Sequence, residues 1–443
     1  MWPNSVPELR EVIGELSSAI DAQQAILHDL LTKRSEALRK LNFFLDPMTR
    51  LPLELQSNIL LSVDSDNYPP KPIPKSPPMV FLGVCRLWRD IALATPQLWV
   101  KIHIDSLPRG PNYAKLCSLW LERARTLPLS ISLHGSLKLD HSVQNLLARY
   151  SAKLSDLKLS LSPNVSLDAR FPYVLWRRGG QSLPALKTLS ITASQEDPYC
   201  GDMREWLGIM RDAPNLSSCV MFNMEYEEQD DDFAASDPLT LQSLETLQLG
   251  DVQSMFLLGA EHASSAAILR HLTLPALKAL TLSSLDEISM EEMTAFLHRS
   301  SMPLESFNTA VPLEFHSMVQ HLRLLPSLVT LHLHGRPDDE PDGDPFLLIL
   351  DELRTVSDFL PNLRALEIYT ISPVRFDYDT VLSMLRFRFT SCSTPLERFE
   401  ISFPQRMNND HAGDLPNEQA RAGLRQLVEE GLKIHIGHSE NLL

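Results

Sequence analysis

One phrase limits what this chain can fold into more than any other feature. L-x-x-L-x-L recurs in LPALKTLSI (183–191), LQSLETLQL (241–249), LPALKALTL (274–282), LPSLVTLHL (325–333) and LPNLRALEI (360–368). Fainter copies begin at Lys153, Ala213, Met302 and Thr394. The anchor leucines are Leu154, Leu186, Leu216, Leu244, Leu277, Leu304, Leu328, Leu363 and Leu396, spaced 24 to 35 residues apart. Alternating apolar positions require a short strand with one buried face. A near-constant period of this size is the signature of a solenoid. Helical patterns lie between the phrases: MREWLGIMRDA, MEEMTAFLHR, FHSMVQHLRLL, FLLILDELRTVSDFL and YDTVLSMLRFRF. The alternation predicts an α/β body over 106–443, with parallel strands backed by helices, each unit burying its neighbour's face. PLSISLHG at Pro128, after YAKLCSLWLERARTL, reads as the entry unit. A helix over about 417–430, followed by LKIHIGH, reads as the closing cap.

The first hundred residues follow different rules. Ser5 and Glu8 have the spacing of a capping box and Pro7 lies in the first turn, so a helix starts there. Positions 9, 13, 16, 20, 23, 27, 30, 34, 37 and 41 step alternately by four and three, and all but Gln23 and Arg34 are apolar. That is the seam of a coiled coil. Gly14 weakens the helix locally by about 1 kcal/mol. Residues 1–45 are thus expected as one long amphipathic helix. Pairing with a second copy through residues 5–41, pairing with a partner helix, and docking on its own chain all fit the seam.

In LPLELQSNILLSVDSDNYPPKPIPKSPPMVFLGVCRLWRDIALATPQLW (51–99), Pro52 opens a helix with Leu51, Leu53, Leu55, Ile59 and Leu60 on its apolar face. The prolines of PPKPIPKSPP force an extended excursion over 64–78. A second helix is expected over about Met79 to Ala94, with Phe81, Val84, Cys85, Trp88 and Ile91 on one side. Thr95-Pro96 ends it.

This order of residues resembles the F-box: Leu51-Pro52-x-Glu54-Leu55 opening, Val84-Cys85-Arg86-x-Trp88-Arg89 in the middle, Thr95-Pro96-x-Leu98-Trp99 closing. The leading helix and the TPxLW ending resemble in particular the expanded F-box families of mushroom-forming basidiomycete fungi. The resemblance implies a small all-α module over 46–105 that docks on a Skp-type adaptor and so joins a cullin-RING ubiquitin ligase. It implies that Leu51, Pro52, Leu55, Ile59, Val84 and Trp88 face or support that contact, the adaptor covering apolar area the module leaves over. The competing reading is a core that the module shares with the repeat body. For Trp88 and Trp99 individually a core position is the expectation. The proline segment 64–78 departs from the shorter link of many family members. The body resembles the long, irregular leucine-rich repeats found behind many F-boxes, although the asparagine usually placed after each strand is mostly missing. That implies a horseshoe whose concave face receives a protein client. The strand positions pointing there include Lys158, Thr188, Ser190, Thr246, Gln248, Thr281, Thr330, His332, Glu367 and Glu400. Of these, Lys158, Ser190, Gln248, Thr281, His332, Glu367 and Glu400 are the candidate client contacts.

Chemistry is harder to find. A net charge of −16 and a pI near 5.3 argue against a binder of nucleic-acid backbone. Cys85, Cys117, Cys200, Cys219 and Cys392 are scattered without a CxxC, which fits buried reduced thiols. His332 and His334 share a strand face, yet no carboxylate or cysteine lies beside them in sequence. His316 and His321 are five apart, wrong for one helix face. The acidic run 336–345 places Asp338, Glu340, Asp342 and Gly343 at calcium-loop positions, but Ile349 stands where glutamate should and Pro341 interrupts. It reads as a solvated loop, like the run 225–232. No Walker loop, GxSxG or HExxH occurs. Nor does any leader or span, so cytoplasm or nucleus is the expected location. The expectation is a non-enzymatic binding protein without cofactor or metal. The alternative is a plain repeat scaffold whose F-box-like segment is only structural.

Overall fold

The computed structural model describes residues 5–63, 70–73, 75–105, 112–135, 141–161, 182–193, 199–201, 203–226, 238–250, 265–282, 288–310, 315–335, 346–369, 377–402 and 416–437. The chain divides into two compact units: Met1–Asp66 with Pro74–Leu98, and Asn67–Ile73 with Trp99–Leu443.

The first unit opens with helix α1 (Val6–Leu45), beginning one residue after Ser5 as the capping pattern requires. A 3-10 turn (Pro47–Arg50) is capped by Asp46, whose carboxylate accepts from Met48 N–H at 2.9 Å. Helix α2 (Leu53–Ser62) starts directly after Pro52, where the missing N–H costs nothing. The predicted helix over 79–94 is in fact two, α3 (Phe81–Val84) and α4 (Arg86–Ala94), because Cys85 is extended at φ −154° and ψ 176°. The break has polar compensation. Cys85 C=O accepts from Arg89 N–H, and the Arg89 side chain donates to Leu82 C=O at 2.9 Å, satisfying a carbonyl the short α3 leaves free. It also splits the expected apolar side: Phe81 and Ile91 point into the core, whereas Val84 points out. That core is small. Met48, Leu60, Phe81, Ile91 and Ala92 are buried, with Leu51, Leu82, Leu87, Trp88 and Leu98 packed against them.

The second unit is the expected α/β body. Its strands are β1 (Lys101–Asp105), β2 (Leu129–Gly135), β3 (Leu154–Leu161), β4 (Thr188–Thr192), β5 (Tyr199–Gly201), β6 (Ser218–Phe222), β7 (Met224–Tyr226), β8 (Leu239–Thr240), β9 (Thr246–Gly250), β10 (Leu272–Thr273), β11 (Ala279–Leu282), β12 (Ser306–Ala310), β13 (Thr330–His334), β14 (Ala365–Tyr369), β15 (Arg398–Ser402) and β16 (Lys433–Gly437). Its helices are α5 (Tyr113–Arg123), α6 (His141–Tyr150), α7 (Met203–Asp212), α8 (Met290–Ser300), α9 (Phe315–Arg323), α10 (Leu347–Thr355), α11 (Tyr378–Thr390) and α12 (Glu418–Glu429). Twelve strands form one sheet in the order β1-β2-β3-β4-β6-β9-β11-β12-β13-β14-β15-β16, and the register of every neighbouring pair is parallel. Short parallel pairs β5–β7 and β8–β10 stand apart from it. Parallel strands that follow one another in chain order with right-handed crossovers send every connection over the same face. Consistent with this, α8 through α12 pack each on the next.

Every repeated phrase becomes a strand, and the local reason is a turn. In LPALK, APNLS, LPALK, LPSLV and LPNLR, proline takes the second position of a β-turn. Leu186, Leu216, Leu277, Leu328 and Leu363 close these turns by donating their N–H three residues back, at 3.1–3.3 Å. Each anchor leucine then drops into the core, and all nine are at most 1% exposed. Asn215 and Asn362 stitch neighbouring turns by donating to Pro184 C=O and Pro326 C=O. The pattern for α10 ran to Leu360, but the helix stops at Thr355. Nothing in the sequence marks strand β1: KIHID lacks the leucine phrase, and the F-box resemblance places it within 46–105. Trp99 belongs to this second unit, buried edge-to-face on Trp120 at 5.2 Å between ring centres. At the far end, Gly431 at φ +110° lets α12 close with Leu432 N–H on Leu427 C=O and Gly431 N–H on Val428 C=O.

Arginines fasten the helix layer, Arg388 buried and Arg299 half-buried. Arg388 on α11 is 1% exposed and donates to Leu353 C=O, Leu360 C=O and Phe359 C=O at the end of the preceding helix and turn. Arg299 on α8 does the same for Leu272 C=O and Leu269 C=O. Each cation takes carbonyls that the unit before it leaves without a helical partner.

Candidate functional site

Two surfaces stand out, one in each unit. In the first unit, α2 turns Leu60 and Gln56 inward, and the Gln56 amide donates to Met48 C=O and Leu51 C=O at 2.7 and 2.8 Å. The first turn of α2 and the flank beside this inward face stay in solvent: Pro52 and Leu53 are exposed, Leu55 is 49% exposed and Ile59 40%. Val84, at the end of α3, is also apolar and 54% exposed. Leu51 and Trp88 behave differently. Both are half-buried against the module's own core, and Trp88 is fixed by an indole N–H···Asp46 carboxylate bond of 3.1 Å and by Phe81 at 6.0 Å. Of the six residues inferred for adaptor contact, four are therefore open and two brace them.

In the second unit the strand register brings the seven candidate client residues into a single line. Cross-strand partners run His103, Ser132, Lys158, Ser190, Val220, Gln248, Thr281, Asn308, His332, Glu367, Glu400, His435, one residue per strand across all twelve strands. The residues on either side of each in sequence point the other way, into the helix-backed core. His103, Ser132, Val220, Asn308 and His435 were not singled out from the sequence. The signal for Val220 and Asn308 was present, in the weak phrases that begin at Ala213 and Met302. Thr188, Thr246 and Thr330 form part of the adjacent line with Ser218, Ala279 and Ser306.

The line is neutral in its middle and charged at its ends. At the C-terminal end Glu367 accepts from His332 Nδ1 at 2.8 Å and pairs with Arg398 at 3.1 Å, while Arg398 also holds Glu400 at 2.7 Å. Burial alone would raise the Glu400 carboxyl, but hydrogen bonds from Arg398 and Ser402 and the nearby positive charge hold it below the usual carboxylate range. His334 lies one position up the same face, donates from Nε2 to Asn308 Oδ1 at 2.9 Å, and is pushed down to about 4 by burial and by His332. The two histidines thus take different partners, and the carboxylate beside His332 comes from the next strand, which sequence spacing does not reveal. At the N-terminal end His103 pairs with Asp105 at 2.9 Å, beside Lys71 and the stacked ring of His134. Burial lowers the His103 imidazole despite that carboxylate.

Among the described residues no group of three or more histidine, cysteine, aspartate or glutamate side chains is placed to hold a metal. Asp338, Glu340, Asp342 and Gly343 lie outside the described residues, as does most of the run 225–232. Cys85, Cys117, Cys219 and Cys392 are free, and burial pushes the Cys117 and Cys219 thiols up to about 12, so neither is a nucleophile at neutral pH. Among the described residues no helix is long and apolar enough to cross a membrane. Neither a scan against protein-family models nor a search of curated proteins finds a match for this chain.

Proposed function

We propose that the chain is a substrate-recognition subunit of a Skp–cullin–F-box type ubiquitin ligase. The helical module holds a Skp-type adaptor, and the repeat body, a leucine-rich-repeat horseshoe, holds a protein client along its line of polar strand residues. The chain does no chemistry of its own: it raises the local concentration of the client at the ligase, in the cytoplasm or nucleus. One observation carries the reading. A module whose residue order resembles the F-box closes its own core and still leaves Pro52, Leu53, Leu55, Ile59 and Val84 exposed. An apolar set of this kind beside a completed core is the mark of a docking surface.

The client line supports the reading from the other side. Its hydroxyls, amides and paired charges suit reversible recognition of a polar peptide or protein surface. The test is co-purification with a Skp-type adaptor. Wild type should retain it, and Leu55→Asp with Ile59→Asp should lose it without a change in melting temperature, since both side chains are exposed. A wild-type chain that retains no adaptor leaves the plain repeat scaffold as the better reading.

A further inference from the structure

We infer that α1 pairs with α1 of a second copy of this chain, antiparallel, about a two-fold axis between His28 and Asp29. The seam is open along most of its length: Ile13, Leu16, Ile20, Leu27, Leu30 and Leu41 are each 47–61% exposed. A 40-residue helix that leaves such a stripe in water has its apolar stabilisation still to gain.

Direction and register follow from where the two polar seam residues sit. From Ile13 to Phe44 the seam positions are 13, 16, 20, 23, 27, 30, 34, 37, 41 and 44. This set is its own mirror image about the point between His28 and Asp29. Antiparallel pairing about that point places Ile13 on Phe44, Leu16 on Leu41, Ile20 on Ala37 and Leu27 on Leu30 of the second copy. Gln23 falls opposite Arg34 of the second copy, where the guanidinium donates to the amide oxygen. A parallel pair in register would instead stack Arg34 on its own copy in the seam and lose that match.

Charge selects the same direction. Val6 to His28 carries Glu8, Glu11, Glu15 and Asp21 against Arg10, a net of −3. Asp29 to Leu45 carries Lys33, Arg34, Arg39 and Lys40 against Asp29 and Glu36, a net of +2. Antiparallel helices lay the acidic half of each along the basic half of the other, whereas parallel ones lay like on like. Beside the seam, the stems of Lys33 and Lys40 cover Ile26 and Ala19 of the second copy with their ammonium groups in water. The 32 residues from Ile13 to Phe44 give a contact about 48 Å long. The two Leu45 ends, each leading into a helical module, then lie about 50 Å apart.

The full-length chain tests this. Light scattering at tens of micromolar should give twice 50.0 kDa; a monomer overturns the inference. Leu27→Asp with Leu30→Asp should return the monomer, and unchanged dimers would remove α1 as the interface. Gln23→Glu faces Arg34 of the second copy only in the antiparallel pair, and should tighten the dimer about tenfold. Weaker association of this variant overturns the direction, since a parallel pair would stack the two carboxylates. Under oxidation, Ile20→Cys alone should not crosslink above the wild-type background, whereas Ile20→Cys with Ala37→Cys should. A crosslink from Ile20→Cys alone, or none from the double variant, overturns the register.

Discussion

The two units spend their leucines in opposite ways. In the sheet unit the nine anchor leucines are at most 1% exposed, because each repeat sets its apolar strand face against helices shared with its neighbours. In the helical unit Leu53, Leu55, Ile59 and Val84 stay in water, and so does the seam of α1. Composition does not explain this, since leucine dominates both. Geometry does. A stacked array buries each apolar face but exposes every other strand residue, so its free surface is a polar line. A short module and a lone helix have more apolar face than they can cover, so their free surface is apolar. Under the proposed function, the first unit would hold its partner by apolar burial and the second by hydrogen bonds and charge.

The largest test of the contrast is Arg388→Ala. It takes the arginine donor from Leu353 C=O and Phe359 C=O, leaves Leu360 C=O only its turn bond from Leu363 N–H, and leaves a void, at a cost of about 3–5 kcal/mol to the sheet unit. Arg364→Ala, which breaks only an exposed pair with Glu397 at 2.8 Å, should cost less than about 1 kcal/mol. Urea unfolding detected through the buried Trp99, Trp120 and Trp206 reads both. Equal effects would show that the helix layer is not fastened by buried cations. Next in size, Leu60→Ala should cost the helical unit about 2–4 kcal/mol, and Leu55→Ala, on the exposed face of the same helix, less than about 0.5 kcal/mol. A comparable loss at Leu55 would mean that its face is packed in solution and not free to dock.

The α/β body was readable in the sequence because proline turns and anchor leucines impose their structure locally. The phrase fixes the turn, the turn delivers the leucine, and alternation decides which residues face out. For the same reason the seven candidate residues on the open face fall on one line. What was not readable depended on neighbours. Glu367 beside His332 and Asn308 beside His334 are cross-strand meetings between repeats, and Arg388 finds its carbonyls about thirty residues back. In the helical unit the apolar period suggested one helix over 79–94, yet Cys85 breaks it. Propensity alone gives no reason to stop there; the compensating bonds from Arg89 to Leu82 and from Trp88 to Asp46 come from tertiary placement.

Acid should act on the two units unequally. His334 has an ordinary value of 6.5 in the unfolded chain and about 4 in the fold, so between those limits the unfolded state binds the extra proton. Its contribution to stability is complete above about pH 6.5 and drains away as the pH falls toward 4, to a limit of about 3 kcal/mol. His103 is depressed in the same direction and adds to the trend. The His334→Gln variant keeps a donor for Asn308 and should flatten the loss of sheet-unit stability between pH 6.5 and 4.5. An unchanged slope would place the acid response elsewhere.

The smallest effect probes how a module with so little core holds its shape. Trp88→Phe keeps the ring against Phe81 and Leu60's cluster but removes the indole N–H that Asp46 accepts at 3.1 Å. Asp46 is half-buried and keeps access to water, so the loss should be about 1 kcal/mol and not the full cost of a stranded charge. Asp46→Ala should cost more, since it also uncaps the turn through Met48 N–H. In a double-mutant cycle the two changes should couple by about 1 kcal/mol, measured by thermal or urea unfolding. No coupling would mean that the indole is positioned by packing alone. Strong coupling would mean that one carboxylate ties the entry of the module to α4, steadying Leu51 and Trp88 behind the face that α2 leaves open.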